Sequence, residues 1–233
     1  MCSRTKTILK RSAAAGIIAF SLLGCPTVST AEDSALSGAT GETTAHVQPV
    51  SNNQAARPLF IATGDVARPP IGWVEFCVEY DPECKTKPST PRDVVLSTQA
   101  WRDLQKVNSW VNTNIKPMTD MEHWGVVERW NYPDDGYGDC EDYVLLKRRM
   151  LMQAGWPREA LLITVVRDLH GDGHAVLTVK TDKGEFILDN QTNDIVLWSD
   201  TGYRFVKRQS QADPNVWIAL GEPRGTPATA SSH

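Results

Sequence analysis

Cys140 stands in the stretch YGDCEDYVLLKRRMLMQAGWP, flanked by Asp139 and Glu141, with Asp142 just after it and Asp134 and Asp135 just before. Aspartate is a favoured N-cap residue, so the pattern predicts a helix that begins at Cys140. Backbone N–H groups in a first helical turn lack internal partners, and the helix dipole favours negative charge there. Both effects lower a thiol's pKa and favour an oxyanion formed beside it. The crowded carboxylates act the other way, because each opposes a thiolate. Either they only complement the dipole, or a cation neutralises them.

A nucleophilic cysteine needs a base, and commonly a third group that orients the base. Between residues 58 and 210 the histidines are His123, His170 and His174. The runs HAVLTVK and GEFILDN, joined by TDKG as a four-residue turn, read as a hairpin. Pairing Lys180 with Glu185 sets His174 opposite Gln191 and Val176 opposite Asp189. Asp189 is then the diagonal neighbour of His174 on one face, roughly 7–8 Å away along the backbone and within side-chain reach. A one-residue slip would send the two groups to opposite faces. His170 lies in the glycine-rich DLHGDGH and His123 in a loop, and neither gains such a partner. The register therefore points to Cys140, His174 and Asp189 as a catalytic set. Singly, His174 reads as a strand residue and Asp189 as a turn former; the set acquires its meaning jointly.

These groups must be carried by a small number of elements. Leu96, Trp101, Leu104, Val107, Val111 and Ile115 recur at near-helical spacing in TPRDVVLSTQAWRDLQKVNSWVNTNI. KPMTDMEHWGVVERWNYPDDGYG reads as a long ordered loop anchored by Trp124 and Trp130. The second helix runs from Cys140 to about Ala154, with Tyr143, Leu146, Met150 and Ala154 on one stripe and Gly155 and Pro157 ending it. LLITVVR, HAVLTVK and GEFILDN are strands, followed by weaker strand signals in IVLWS and YRFVKRQ. Helices followed by an antiparallel meander give an α+β domain with the nucleophile at a helix N-terminus packed on the sheet.

The chain has 233 residues and a net charge of −4, without a long basic run, which argues against a nucleic-acid partner. Residues 1–31 read as an export signal: Lys6, Lys10 and Arg11 precede the apolar AAAGIIAFSLLG. Cleavage after Ala31 competes with lipoprotein processing at Cys25, and the former is preferred because Pro26 follows that cysteine. Residues 32–57, poor in large apolar groups, read as a flexible linker. An extended segment at 58–92 holds CVEYDPEC, read as a Cys77–Cys84 disulfide in an oxidising compartment, which leaves Cys140 as the odd cysteine. The catalytic core is expected over 93–210 and a tail over 211–233.

VNTNI, HWGVVERW, YGDCEDYVLLKRRMLMQAGWP, LLITVV, HAVLTV, FILDN and YRFV, in that order, resemble the bacterial transglutaminase-like cysteine peptidases, including LapG-type periplasmic proteases. The resemblance covers about residues 95 to 207. It implies a papain-like, transglutaminase-type core with Cys140 as nucleophile, His174 as base and acid, and Asp189 as orienting carboxylate. It also implies calcium, held by Asp139, Glu141 and Asp142, which would neutralise the acids around Cys140. Relatives cleave a large surface adhesin at a small-residue site to release biofilm cells, and some answer to a membrane receptor that responds to cyclic di-GMP. The CVEYDPEC loop and the polar N-terminal extension depart from that pattern and suggest another branch. A transglutaminase-like acyl transferase sharing the triad and a non-catalytic binding module on the same fold are the alternative readings.

Overall fold

The structure is a computed structural model that describes residues 58–221. The expected export signal at 1–31, the linker at 32–57 and the end of the tail lie outside the described residues. In chain order the elements are β1 (Thr63–Ala67), α1 (Ile71–Glu79), α2 (Asp81–Cys84), α3 (Thr98–Asn114), β2 (Lys116–Pro117), α4 (Asp120–His123) and β3 (Tyr137–Gly138). They continue with α5 (Cys140–Gln153), β4 (Leu161–Arg167), β5 (Gly173–Thr181), β6 (Gly184–Leu188), β7 (Val196–Leu197), β8 (Arg204–Gln209) and β9 (Trp217–Leu220).

Seven strands form one sheet in the order β1-β9-β8-β4-β5-β6-β7, every neighbouring pair antiparallel. Side chains of a strand alternate between faces. Ala175, Leu177 and Val179 of β5 accordingly join Leu104 and Val111 of α3 and Leu145 and Leu151 of α5 in the main core. Val176 instead joins Ile61, Val166, Ile187, Phe205 and Leu220 in a smaller cluster. Helix α5 is buried without a break from Cys140 to Arg148, because it lies against both α3 and β5. The single apolar stripe read from the sequence therefore understates it: a central helix is covered on all sides.

The hairpin of β5 and β6 has the expected register, with Lys180 opposite Glu185 and Leu177 opposite Leu188. Thr181 pairs with Gly184, so the connecting loop is the two residues Asp182 and Lys183 instead of the four expected. Gly184 has φ +123°, a conformation that disfavours any side chain. Glu185 locks this register from inside the protein. Its fully buried carboxylate accepts from Lys180 Nζ and Arg208 Nη1, both at 2.7 Å, and from the Ile61 amide at 3.2 Å.

Three parts of the chain depart from the sequence reading. Residues 71–84 are helical rather than extended: α1 buries Trp73 and Phe76, and the expected disulfide joins Cys77 to Cys84. Leu96 precedes α3 instead of belonging to it, because the Ser97 side chain accepts from Ala100 N and caps the helix at that point. Trp217–Leu220, assigned to the tail, is strand β9, which pairs with both β8 and β1. Trp73, Trp130 and Trp217 pack edge-on with ring centroids 6.3–6.4 Å apart, tying α1, the loop before α5 and β9 into one core. Among the described residues no helix is long and apolar enough to cross a membrane.

Gly72 lies directly against Trp130, where a Cβ would come within 2.2 Å of Cδ1 and 2.4 Å of Nε1. Gly72→Ala is therefore expected to lower stability by about 1–3 kcal/mol through overpacking. Denaturant unfolding measures this, and an unchanged midpoint would show that α1 is not seated on Trp130.

Candidate active site

Cys140 is the first residue of α5 and is buried. Asp139 occupies the N-cap position, but its side chain makes no capping hydrogen bond. It turns instead toward Asp120 and Glu141, so capping alone does not account for this acid. The Cys140 sulfur lies 3.3 Å from the backbone nitrogen of Ala175 and 3.1 Å from Glu141 Oε2. Cys140 is disulfide-bonded in this structure, which departs from its reading as the odd cysteine, so the chemistry considered below belongs to the reduced thiol. Cys140 and His174 line one cleft of about 170 Å³, together with Glu128, Trp130, Glu141 and Gly173.

His174 Nε2 is 2.9 Å from Asp189 Oδ1, and both side chains are buried. Asp189 follows the last residue of β6, where the register continued from Leu177 and Leu188 places it diagonal to His174. Oδ1 also accepts from Gln191 N at 2.9 Å, and Oδ2 accepts from the Tyr203 hydroxyl at 2.7 Å. Asn112 of α3 donates to the Asp189 carbonyl at 2.8 Å and so fixes its backbone. Burial alone would raise the pKa of Asp189. The bond to His174 and its charge, the Gln191 amide and the Tyr203 hydroxyl outweigh burial and hold the pKa below its ordinary value. With Nε2 turned to the carboxylate, Nδ1 is the ring nitrogen left to exchange a proton.

The metal expectation needs one substitution. Asp139 and Glu141 do meet a third carboxylate, but it is Asp120, at the start of α4, and the three offer oxygens within 4.8 Å of one another. Asp142 is turned away: its Oδ1 accepts from Asn131 N at 2.9 Å, and its side chain packs where a Cβ on Gly138 would stand, 2.7 Å from Oδ2. That contact gives Gly138 and Asp142 a structural reason for their places beside Cys140. Burial, and then the Asp139 charge, push Asp120 up to about 6 and Glu141 well above its ordinary value. Asp139 is raised too, chiefly by burial. Among the described residues, Asp139 Oδ1 and Asp142 Oδ2 are each buried with no hydrogen-bond partner. Buried carboxylates that repel one another, with an oxygen left over, suit a hard cation that takes oxygen ligands.

Asp120 escaped the sequence reading because it lies in what read as a loop. A signal was present: Thr119 and Glu122 form a capping box, whose S/T-x-x-E spacing marks a helix start. Trp130 is buried, as a loop anchor should be, and also lines the Cys140 cleft. Trp124 is exposed, with His123 stacked 3.9 Å away and Arg129 4.6 Å from its ring, so it does not anchor the loop. His123 bonds to Asp135 at 2.8 Å, and His170 donates its backbone N–H to Asp168; neither lines the cleft.

Residues 63–225 match the model of the bacterial transglutaminase-like cysteine proteinases. Among solved structures the chain is similar to calcium-bound LapG of Legionella pneumophila, at 27% identity and a TM-score of 0.45, over 55% of this chain and 73% of that one. EGTA-treated LapG of the same organism matches at 26% identity and a TM-score of 0.43, over 54% of this chain and 69% of that one. No curated protein matched the chain. The family match reaches from β1 past β9, beyond both ends of the core expected at 93–210, and takes in the disulfide. The chain belongs to the bacterial transglutaminase-like cysteine proteinases.

Proposed function

We propose that the protein is an exported cysteine endopeptidase in which Cys140 is the nucleophile, His174 the base and acid, and Asp189 the carboxylate that orients His174. The observation that carries this reading is the buried 2.9 Å pair of His174 and Asp189, with His174 lining a cleft that Cys140 also lines. Nδ1 of His174 takes the thiol proton, and the thiolate adds to a peptide carbonyl carbon. Amides at the start of α5 stabilise the oxyanion. Collapse breaks the C–N bond as His174 returns the proton to the leaving amine. Water then gives a proton to His174, attacks the thioester and frees the acid and Cys140.

The disulfide and the basic-then-apolar start support an oxidising, periplasmic destination. A large surface adhesin as substrate, and control by a membrane receptor responding to cyclic di-GMP, are the readings that the family resemblance adds. Asp120, Asp139 and Glu141 are the proposed calcium ligands. Calcium bound there would neutralise the acids beside Cys140, removing their opposition to a thiolate.

Cys140→Ala and His174→Ala should each lower cleavage by at least about a thousandfold. Comparative surface proteomics of cells carrying native or Cys140→Ala protein should show one polypeptide that is shed only by the native strain. Native-level shedding by either variant would overturn the peptidase reading, and incorporation of a labelled amine into glutamine-bearing protein would favour acyl transfer.

A carboxylate whose pKa is raised on folding costs stability above its unfolded value, and Asp120 is raised to about 6. Without a cation, stability should therefore fall as pH rises through about 6. Calcium should raise the melting temperature at pH 7.5 and much less at pH 5, where protons compete for the ligands. Asp120→Asn should remove most of the difference. Equal melting temperatures in calcium and EGTA at pH 7.5 would remove calcium from the reading.

A further inference from the structure

We propose that Tyr203 is a positioning residue of this site: its hydroxyl fixes the Asp189 carboxylate so that Oδ1 faces His174, and its ring, perpendicular to the imidazole, opposes turning of that ring. The inference rests on the peptidase reading above and names a fourth side chain in it.

Asp189 lies just past the end of β6, and carboxylate torsions are broad and nearly two-fold, so the strand alone does not choose which oxygen faces His174. Oδ1 is already engaged by His174 and Gln191 N. Oδ2 receives the Tyr203 hydroxyl at 2.7 Å, and rotation of the carboxylate would break all three bonds together. A charge-assisted bond of this length is among the stronger ones available to a tyrosine. The Tyr203 ring stands perpendicular to the His174 ring, with centroids 5.8 Å apart, which opposes turning of the imidazole.

The chain before β8 aims the phenol. Gly202 is left-handed at φ +73°, and a Cβ there would also come within 2.9 Å of Leu169 Cδ2. Tyr203 N donates to Thr201 Oγ1 at 3.1 Å, and that hydroxyl donates to Trp198 O at 2.8 Å. Two further charged groups face this network. Lys147 of α5 interacts with the Asp189 charge, and Asp168, after β4, acts on Tyr203. Burial and the Asp189 charge raise the Tyr203 pKa, so the phenol remains a donor across the working pH range.

Tyr203→Phe keeps the ring and removes only the hydroxyl. The full-length reduced protein is assayed in two ways: cleavage of denatured casein, and the pH dependence of Cys140 alkylation by iodoacetamide, read by mass spectrometry on the Cys140 peptide. With melting temperature little changed, Tyr203→Phe should lower kcat by about 10- to 100-fold with KM nearly constant. An imidazolium held less firmly stabilises the thiolate less, so the acid limb of the alkylation profile should move to higher pH. His174→Ala should move that limb much further, toward the pKa of an unassisted thiol.

An unchanged profile and an unchanged casein rate in Tyr203→Phe would reduce the residue to packing and overturn the proposal. If the native protein spares casein but its alkylation depends on His174 and shifts in Tyr203→Phe, the positioning role stands while hydrolysis of that substrate does not. Alkylation of native protein that is indifferent to His174 would overturn both.

Discussion

A single buried carboxylate decides whether the site exists. Glu185 takes Lys180 and Arg208 on its two oxygens and so holds β6 in register against β5 and near β8. Removing a buried charge from its partners is costly, so the ion cluster resists sliding of the hairpin. Because side chains alternate along a strand, that register is what puts His174 and Asp189 on one face. The bond between them, its support from Gln191 and Tyr203, and the tether from Asn112 all follow from it.

The other half of the site is a balance of charges at the start of α5. The helix N-terminus and the Ala175 amide favour a negative sulfur, while Glu141 lies 3.1 Å from it and is pressed by Asp139. Protons on the acids lessen that repulsion, and bare carboxylates restore it. Asp142 adds its charge to this balance, since burial and then the Asp139 and Asp120 charges raise its pKa, but its Oδ1 is committed to the Asn131 amide. Acids that look equivalent in the sequence thus divide into one that braces the loop and two that face Asp120.

Much of this was legible before any coordinates. The helix from Cys140, the three strands after it and the Lys180–Glu185 pairing were read from local patterns: an N-cap acid, period-two apolar runs and a short turn. These signals depend on neighbours in the chain, which is why they survive without a structure. What failed was non-local. Trp217–Leu220 carries no alternation, and its strand character comes from pairing with β1 and β8. The helices at 71–84 follow from Trp73 and Phe76 finding Trp130, Tyr132 and Trp217, residues distant in sequence.

The sequence by itself determined the α+β class, the helix that presents Cys140, the hairpin register and the Cys77–Cys84 bridge, because spacing of a few residues encodes each. Only the tertiary structure decided that Asp120 joins Asp139 and Glu141, that Asp142 does not, and that Tyr203 closes on Asp189. Those choices depend on which buried atoms meet across elements far apart in the chain, and no local pattern records that.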